Sequence, residues 1–162
     1  MPGSLLRTFP NLCIVKTKNE IIKLWTCPKC GRQFERQGQS HSCKSFPLAK
    51  HFANKPRGAS LYETFLRSVK MQVGSFKIES LECCIHLVST FTFAAVKIFK
   101  DKIRVDFSLS RKLKNKRITD TVQMSAHRYL YVVDIMNEDE IEEELMTWIR
   151  EAHDKKNKKA ET

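Results

Sequence analysis

The sequence predicts an α+β protein: an antiparallel sheet of about five strands flanked by two main helices, preceded by a small zinc-knuckle module. Three observations predict this fold class. Cysteine and histidine residues are concentrated in one short polar stretch near the N-terminus. Apolar residues then recur at helical spacing in two segments, and a long region of β-type alternation lies between them. Because helices and strands are segregated along the chain, the sheet is expected to be antiparallel, with helices on one face and water on the other.

The polar stretch WTCPKCGRQFERQGQSHSC carries the candidate metal ligands Cys27, Cys30, His41 and Cys43. The two cysteines of CPKCG lie across a tight turn, where Pro28 presets φ and Gly31 leaves room for a bent backbone. His41 and Cys43 are two residues apart, so they share one face of an extended segment. Three thiolates and one imidazole match tetrahedral Zn²⁺ and fill all four positions. One structural zinc ion is therefore predicted, and not a catalytic one.

Between the two ligand pairs the chain is too polar to fold alone, so the metal is expected to hold it. Phe34 and Trp25 are expected to cover the site, and Gly38 to permit the return turn. A redox pair formed by Cys27 and Cys30 is the competing interpretation.

The remaining cysteines and His51 are expected to lie outside this site. His51 is a substitute ligand at most. Cys83 and Cys84 are adjacent, so in a strand their side chains would point to opposite faces and could not share an ion. Cys13 has no sequence neighbour of metal-ligand type.

Two segments are predicted to be the main helices. The first, SLYETFLRSVKMQVG, begins with a capping box formed by Ser60 and Glu63 and stops at Gly74. A short turn of helix is expected before it, ending ahead of Pro56. The second, NEDEIEEELMTWIREAH, is capped by Asn137. The predicted buried stripes are Leu61, Tyr62, Phe65, Leu66 and Val69 in the first helix and Ile141, Leu145, Trp148, Ile149 and Ala152 in the second.

The strands are predicted in FKIES, ECCIHLVS, FTFAAVKIFK, KDKIRVDFSLS, RITDTVQMS and HRYLYVVDI. KDKIRVDFSLS alternates cleanly, with Ile103, Val105, Phe107 and Leu109 on the buried face. Lys100 and Asp101 are expected to turn the hairpin before it. The predicted organisation is an N-terminal extension (1–23, a strand or a docking helix), a zinc-binding module (24–45), a connector (46–58), the α+β domain (59–153) and a charged tail (154–162).

The chain is strongly basic, with 29 Lys and Arg against 18 Asp and Glu and a net charge of +11. Such a surplus attracts polyanions. The alternative interpretation is that the charge only maintains solubility. The densest basic run is RKLKNKR, Arg111 to Arg117. The alternative interpretation of this run is a solvated loop without a binding partner. The candidate nucleic-acid contacts are Lys97, Lys100, Lys102, Arg104, Arg111, Lys112, Lys114, Lys116 and Arg117, expected to gather on one side and end of the sheet.

These features predict a nucleic-acid-binding module for DNA or RNA, in which zinc is structural and the basic sheet face and loop make the contacts. The alternative is an interaction or sensor module that binds an acidic protein or a small anion. A nucleic-acid hydrolase is a third hypothesis, but no catalytic constellation is present and no catalytic residue is assigned. No apolar run reaches membrane-spanning length and no signal peptide is evident, so no membrane partner is expected. Cysteines in a metal pattern favour the reducing cytoplasm.

The stretch Trp25–Cys43, the HFANKP that follows, and the closing HRYLYVVDIMNEDEIEEELMTWIREA resemble a bacterial family known as domain of unknown function 5655. The resemblance spans about Leu24 to His153. It implies a zinc motif paired with an α+β unit and supports the same four ligands. It also implies an association with restriction-type nuclease proteins, which favours nucleic acid by analogy only.

Overall fold

The computed structural model describes residues 12–17, 20–34 and 36–154. The chain forms two compact units, with the boundary between Lys44 and Ser45. Residues 1–11 of the predicted extension and 155–162 of the predicted tail lie outside the described residues. The five-part division of the chain stays a prediction.

The first unit contains a small antiparallel sheet in the order β1-β2-β3. Its strands are β1 (Leu12–Thr17), β2 (Glu20–Thr26) and β3 (Gln33–Phe34). The sequence leaves open whether the segment before the metal motif is a strand or a docking helix. It forms the strands β1 and β2. β2 and β3 form a hairpin in which Trp25 is paired with Phe34. The loop of this hairpin is the CPKCG knuckle.

The second unit is an α+β domain, as predicted, and its sheet has six strands, one in each of the six segments predicted to form strands. Its elements are a 3₁₀ turn (Leu48–His51), α1 (Pro56–Val73), β4 (Lys77–Ser80), β5 (Ile85–Val88), β6 (Thr92–Ile98), β7 (Ile103–Leu109), β8 (Ile118–Ser125), β9 (Arg128–Ile135), a second 3₁₀ turn (Glu138–Glu140) and α2 (Glu143–Asp154). The strand order is β4-β5-β6-β7-β9-β8, and every neighbouring pair is antiparallel.

The core lies between one face of this sheet and the two helices. The predicted alternation of β7 is confirmed, because Ile103, Val105, Phe107 and Leu109 are buried and the residues between them are half-exposed. The Phe107 ring stacks on Trp148 of α2 with centroids 5.9 Å apart. Phe65 and Val69 of α1 are fully buried in the same cluster. The opposite sheet face carries the polar residues of the strands.

β7 and β8 are parallel and β9 lies between them, so residues 110–117 cross over β9. The crossing is on the helix side of the sheet, since Tyr131, opposite Phe107, holds it there. The Tyr131 hydroxyl accepts the Leu113 N–H (2.7 Å) and donates to the Arg111 carbonyl (2.9 Å). The sequence run RKLKNKR is therefore an anchored crossover and not a simple hairpin loop.

Both helices begin at residues other than those predicted. α1 starts at Pro56, four residues before Ser60, because proline is well suited to the first helical position, where its missing N–H is not needed. The predicted short turn of helix ahead of Pro56 is present as the 3₁₀ turn Leu48–His51, but the main helix begins at the proline itself and not at Ser60. α2 starts at Glu143, because Glu138–Glu140 forms a separate 3₁₀ turn with Asn137 at its N-cap. The Glu140 carboxylate closes that turn by accepting the backbone N–H groups of Met136 and Asn137.

Cys83 and Cys84 lie outside the Cys/His cluster, as expected, but the premise that they lie in a strand is wrong. They do not lie in a strand but in the tight turn between β4 and β5, and their sulfur atoms are 2.9 Å apart. In a turn the two-fold alternation of a strand no longer applies, so adjacent side chains can approach.

Candidate metal centre and the basic residues

The knuckle brings Cys27 and Cys30 to the end of the β2–β3 hairpin. The Cys27 carbonyl accepts the Gly31 N–H (2.8 Å), and the Cys27 N–H donates to the Arg32 carbonyl (2.9 Å). Gly31 has φ = 71°, a left-handed conformation in which a side chain would be strained. These backbone bonds bend the chain so that both sulfurs lie inside the turn.

His41 and Cys43 approach the same point from the returning segment. The return turn contains Gly38 with φ = 67°, as predicted. The Nδ1 of His41 lies 2.6 Å from the Gln39 carbonyl oxygen. An Nδ1–H that donates to this carbonyl leaves the Nε2 lone pair directed at the sulfurs, which is the tautomer a metal ligand requires.

The ligand atoms of the four side chains gather within the space of one metal site. Their ligand atoms lie within 4.8 Å of one another. Zinc bonds of about 2.3 Å to sulfur and about 2.0 Å to nitrogen imply tetrahedral edges of about 3.8 Å (S to S) and about 3.5 Å (S to N). The observed separations are 3.7 Å for the sulfurs of Cys27 and Cys43, 3.4 Å from Cys30 Sγ to His41 Nε2, and 3.3 Å from Cys43 Sγ to that Nε2. These residues are therefore close enough to hold one metal ion.

Aromatic rings surround the imidazole of this centre. The Phe34 ring lies 4.2 Å from that of His41, and the Trp25 ring lies 6.1 Å from it. The predicted cover by Phe34 and Trp25 is thus confirmed. Leu24 and Cys27 are buried beside them. The rings limit how the imidazole can rotate and so favour its ligand orientation.

Local hydrogen bonds favour the thiolate form at the knuckle. Burial raises the pKa of the Cys27 thiol, but the backbone N–H groups of Cys30 and Lys29 outweigh burial and bring the pKa to about 6. The pKa of Cys30 is also lowered, since the N–H and guanidinium of Arg32 outweigh burial. The Arg32 guanidinium additionally donates to the Ser42 carbonyl and so links the two halves of the site. Arg32 and Gln39 support the centre, and the ligand spacing gave no signal for either.

His51, the predicted substitute ligand, does not join this centre. His51 is buried in the second unit, where its Nε2 lies 3.2 Å from the Ser80 hydroxyl and burial lowers its pKa. It is not a substitute ligand. Cys13 lies in β1, and its side chain lies outside the described residues.

The basic residues do not form the single surface expected from the sequence. Lys97 and Arg104 are paired across β6 and β7 on the open sheet face, with Lys100 and Lys102 in or beside the hairpin turn. The run Arg111–Arg117 lies instead on the helix side, next to α2. The reason is the crossover between β7 and β8, which no local pattern in the sequence indicates.

Within that run, every second residue is an anchor. Arg111 pairs with Glu151 (2.8 Å), the Asn115 amide donates to Glu144 (2.9 Å), and Arg117 pairs with Glu142 (2.7 Å). All three acids belong to α2 or the residue before it. The intervening lysines, Lys112, Lys114 and Lys116, are exposed. We call these three residues the lysine row.

The basic residues Lys97, Lys102 and Arg104, which we call the open-face group, lie around one aromatic ring. The charged groups of Lys97, Lys102 and Arg104 lie 5.4 to 5.6 Å from the Phe99 centroid. Asp134 of β9 partly neutralises them, because it accepts from Lys102 (2.6 Å) and from two nitrogens of Arg104 (2.7 and 3.0 Å). Asp134 is not among the residues predicted from the sequence; the signal that could have indicated it is an acid at an open-face position of the last strand.

Asp134 should make the free energy of unfolding of this domain depend on pH in the acidic range. Hydrogen bonding to Arg104 lowers the pKa of Asp134 to about 2, against the smaller effect of burial and with help from Lys102. A lowered folded-state pKa stabilises the fold above the unfolded pKa near 4, and this contribution is lost as the pH falls toward 2. We expect Asp134→Asn to destabilise the domain at neutral pH by about 1–2 kcal/mol, since Arg104 is partly exposed and screened.

Urea unfolding at several pH values measures this effect, with Asp101→Asn, a change at an exposed turn carboxylate, as the control. The difference between wild type and Asp134→Asn should shrink steadily below pH 4. A difference that stays constant down to pH 2 would show that Asp134 does not act through its charge.

The fold and the site together define an α+β domain that follows a small unit with a Cys/His cluster able to hold a metal ion. Residues 49–156, two thirds of the chain, match the family described as "Domain of unknown function (DUF5655)", and the chain belongs to this family. The match begins after Cys43, so the metal motif, which the resemblance had included, lies outside it. None of the curated proteins and none of the solved structures matches the chain. Among the described residues, no helix is both long and apolar enough to cross a membrane.

Proposed function

We propose that this protein is a nucleic-acid-binding module, in which a structural zinc ion stabilises the first unit and the lysine row of the second makes the main contacts with phosphates. The observation that carries the proposal is the alternation along Arg111–Arg117. Anchored residues fix the path of the backbone, and the lysines between them are left to solvent. A fixed row of cations loses less conformational entropy on binding than a flexible loop would.

Charge balance supports the lysine row over the open-face group. Within the described part of the chain, Lys112, Lys114 and Lys116 form no ion pair with an acid. By contrast, Lys102 and Arg104 share Asp134. Lys112 also lies over the Tyr129 ring at 5.9 Å, which holds its stem near the sheet. Contacts of lysine with phosphate release counterions, so the binding should be salt-sensitive and largely independent of base sequence.

Reversing the lysine row should abolish this binding. We expect the triple variant Lys112→Glu, Lys114→Glu, Lys116→Glu to lose detectable affinity in an electrophoretic shift series with single- and double-stranded probes across salt. Each lost phosphate contact should also reduce the slope of log affinity against log salt by about 0.7 to 0.9.

A matched control has the same change in net charge at a different place. Lys50, Arg67 and Lys70 are exposed residues of the second unit, and their triple replacement by Glu should leave most of the affinity. If both triple variants lose affinity equally, net charge and not the lysine row is responsible. If neither variant changes the binding, or no probe binds at all, the interaction-module alternative for an acidic protein or small anion takes precedence.

The third hypothesis is a nucleic-acid hydrolase. The described residues do not assemble a set of catalytic groups that would support it. Incubating the protein with Mg²⁺ and the labelled probes used for binding tests it directly. Intact probes after prolonged incubation are the expected result.

A further inference from the structure

We propose that Cys83 and Cys84 form a redox-active pair that closes to a vicinal disulfide when a low-molecular-weight disulfide, such as oxidised glutathione, oxidises it. This modification site is separate from the metal centre and does not depend on nucleic-acid binding. Its cysteines lie in the second unit, in the turn between β4 and β5.

The geometry of the turn brings the two sulfurs together. The Leu81 N–H donates to the Cys84 carbonyl at 3.0 Å, which leaves Glu82 and Cys83 as the two central residues of the turn. The Sγ atoms of Cys83 and Cys84 lie 2.9 Å apart. A disulfide bond measures about 2.05 Å, so the sulfurs need to approach by only about 0.9 Å.

The environments of the two sulfurs differ in a way that suits thiol–disulfide exchange. Cys83 is exposed and open to a dissolved disulfide, whereas Cys84 is half-buried. Burial, with smaller contributions from Cys83 and from Asp106, raises the pKa of Cys84 to about 12, so this residue is a thiol at neutral pH. The accessible Cys83 is therefore the attacking residue, and Cys84 is the resolving residue.

The reaction balances as two exchanges. The Cys83 thiolate attacks one sulfur of oxidised glutathione, forms a mixed disulfide and releases one glutathione thiolate. Cys84 then gives up its proton to that thiolate or to solvent and attacks Cys83 Sγ, which releases the second glutathione. The two cysteines lose two electrons in total, and the small disulfide is reduced to two thiols.

The product should be easily reduced again. Neighbouring Cα atoms are about 3.8 Å apart across a trans peptide, which is below the usual span of about 4.4–6.8 Å between disulfide-linked Cα atoms. A bond formed outside the usual span is strained, and strained or exposed disulfides are the labile ones. The pair is thus suited to reversible oxidation and not to structural cross-linking.

Peptide mapping of the full-length protein tests the proposal. Trypsin cleavage after Lys77 and Lys97 releases a peptide, residues 78–97, that contains Cys83 and Cys84 and no other cysteine. After treatment with oxidised glutathione and alkylation, we expect this peptide to carry no alkyl group and to be two hydrogens lighter. After dithiothreitol it should carry two alkyl groups. The peptides that contain Cys27, Cys30 and Cys43 report the state of the metal centre in the same digest.

Two variants separate the roles of the sulfurs. Cys84→Ser should accumulate glutathione on Cys83, because the resolving thiol is missing. Cys83→Ser should react at Cys84 more than about tenfold more slowly than Cys84→Ser reacts at Cys83, because the remaining thiol is half-buried and protonated. Three results would overturn the proposal: two alkyl groups on the wild-type peptide after oxidation, a stable mixed disulfide on the wild type, or a bond that joins two copies of the chain.

Discussion

Removing the metal with a chelator should unfold residues 24–44 and leave the six-stranded domain folded. The physical reason is the small amount of apolar surface that the first unit buries. Among the residues of this unit whose side chains are described, only Leu24 and Cys27 are buried, whereas the second unit has a continuous core between its sheet and helices. Zinc binding contributes about 10–16 kcal/mol to units of this kind, and the contacts among the described side chains of the first unit supply nothing of that size.

The two tryptophans allow each unit to be followed separately. Trp25 lies at the metal centre and Trp148 in the core of the second unit. We expect chelation to change the fluorescence of a Trp148→Phe variant and to leave that of a Trp25→Phe variant unchanged. On chelation, the backbone amides of residues 24–44 alone should lose their protection from hydrogen exchange. Metal analysis of the untreated protein should find about one zinc ion per chain.

Substitution of a ligand should reproduce chelation. Cys27→Ser and Cys30→Ser are expected to lose the metal, and Cys83→Ser, which removes a thiol in the other unit, is the matched control that should retain it. A metal-free protein in which residues 24–44 remain protected from exchange would exclude the structural role of the metal.

The Cys/His cluster was predictable from the sequence because its information is local. Four ligand types within a short polar stretch leave few other arrangements, and the return of His41 and Cys43 to the knuckle needs only one turn at Gly38. The contacts that complete the site were not predictable in the same way. The Gln39 carbonyl and the Arg32 guanidinium act through backbone geometry, and ligand spacing does not encode that geometry.

The α+β fold and the face assignments of β7 were predictable for a similar reason, since strand alternation is a local property. The placement of Arg111–Arg117 was not. It depends on β9 inserting between β7 and β8, which is a non-local choice of strand order. The same limit explains Cys83 and Cys84, because their proximity follows from where a turn falls, and strand boundaries are poorly fixed by pattern alone.

The start of α1 shows where local rules compete. Ser60 and Glu63 have the pattern of a capping box, yet the helix continues back to Pro56, so these residues lie inside it. The extra turn brings Gly58 against the end of β6, where the Lys55 ammonium also donates to the Ile98 carbonyl at 2.9 Å. Tertiary contact with the sheet, together with the preference of proline for the first helical position, thus outweighs the local cap pattern.

Gly58 should be one of the least replaceable residues of the domain. A Cβ added there would overlap the Phe99 carbonyl oxygen and would lie 2.8 Å from the Cγ2 of Ile98. The first of these atoms belongs to the backbone, so a side-chain rotation cannot relieve the overlap. The helix would have to move away from the sheet, and the buried residues of α1 would lose part of their packing.

We therefore expect Gly58→Ala to destabilise the second unit by about 3 kcal/mol, at the upper end of the range for an overpacked core. Helix propensity alone predicts the opposite sign, a gain of about 1 kcal/mol, so the experiment separates the two effects. Urea unfolding followed by Trp148 fluorescence in the Trp25→Phe background measures the change. Glu63→Ala, at an exposed position of the same helix, should be nearly neutral. If Gly58→Ala is as stable as the parent, then α1 does not approach β6 as closely as described, because helix and sheet cannot both keep these positions around a methyl group.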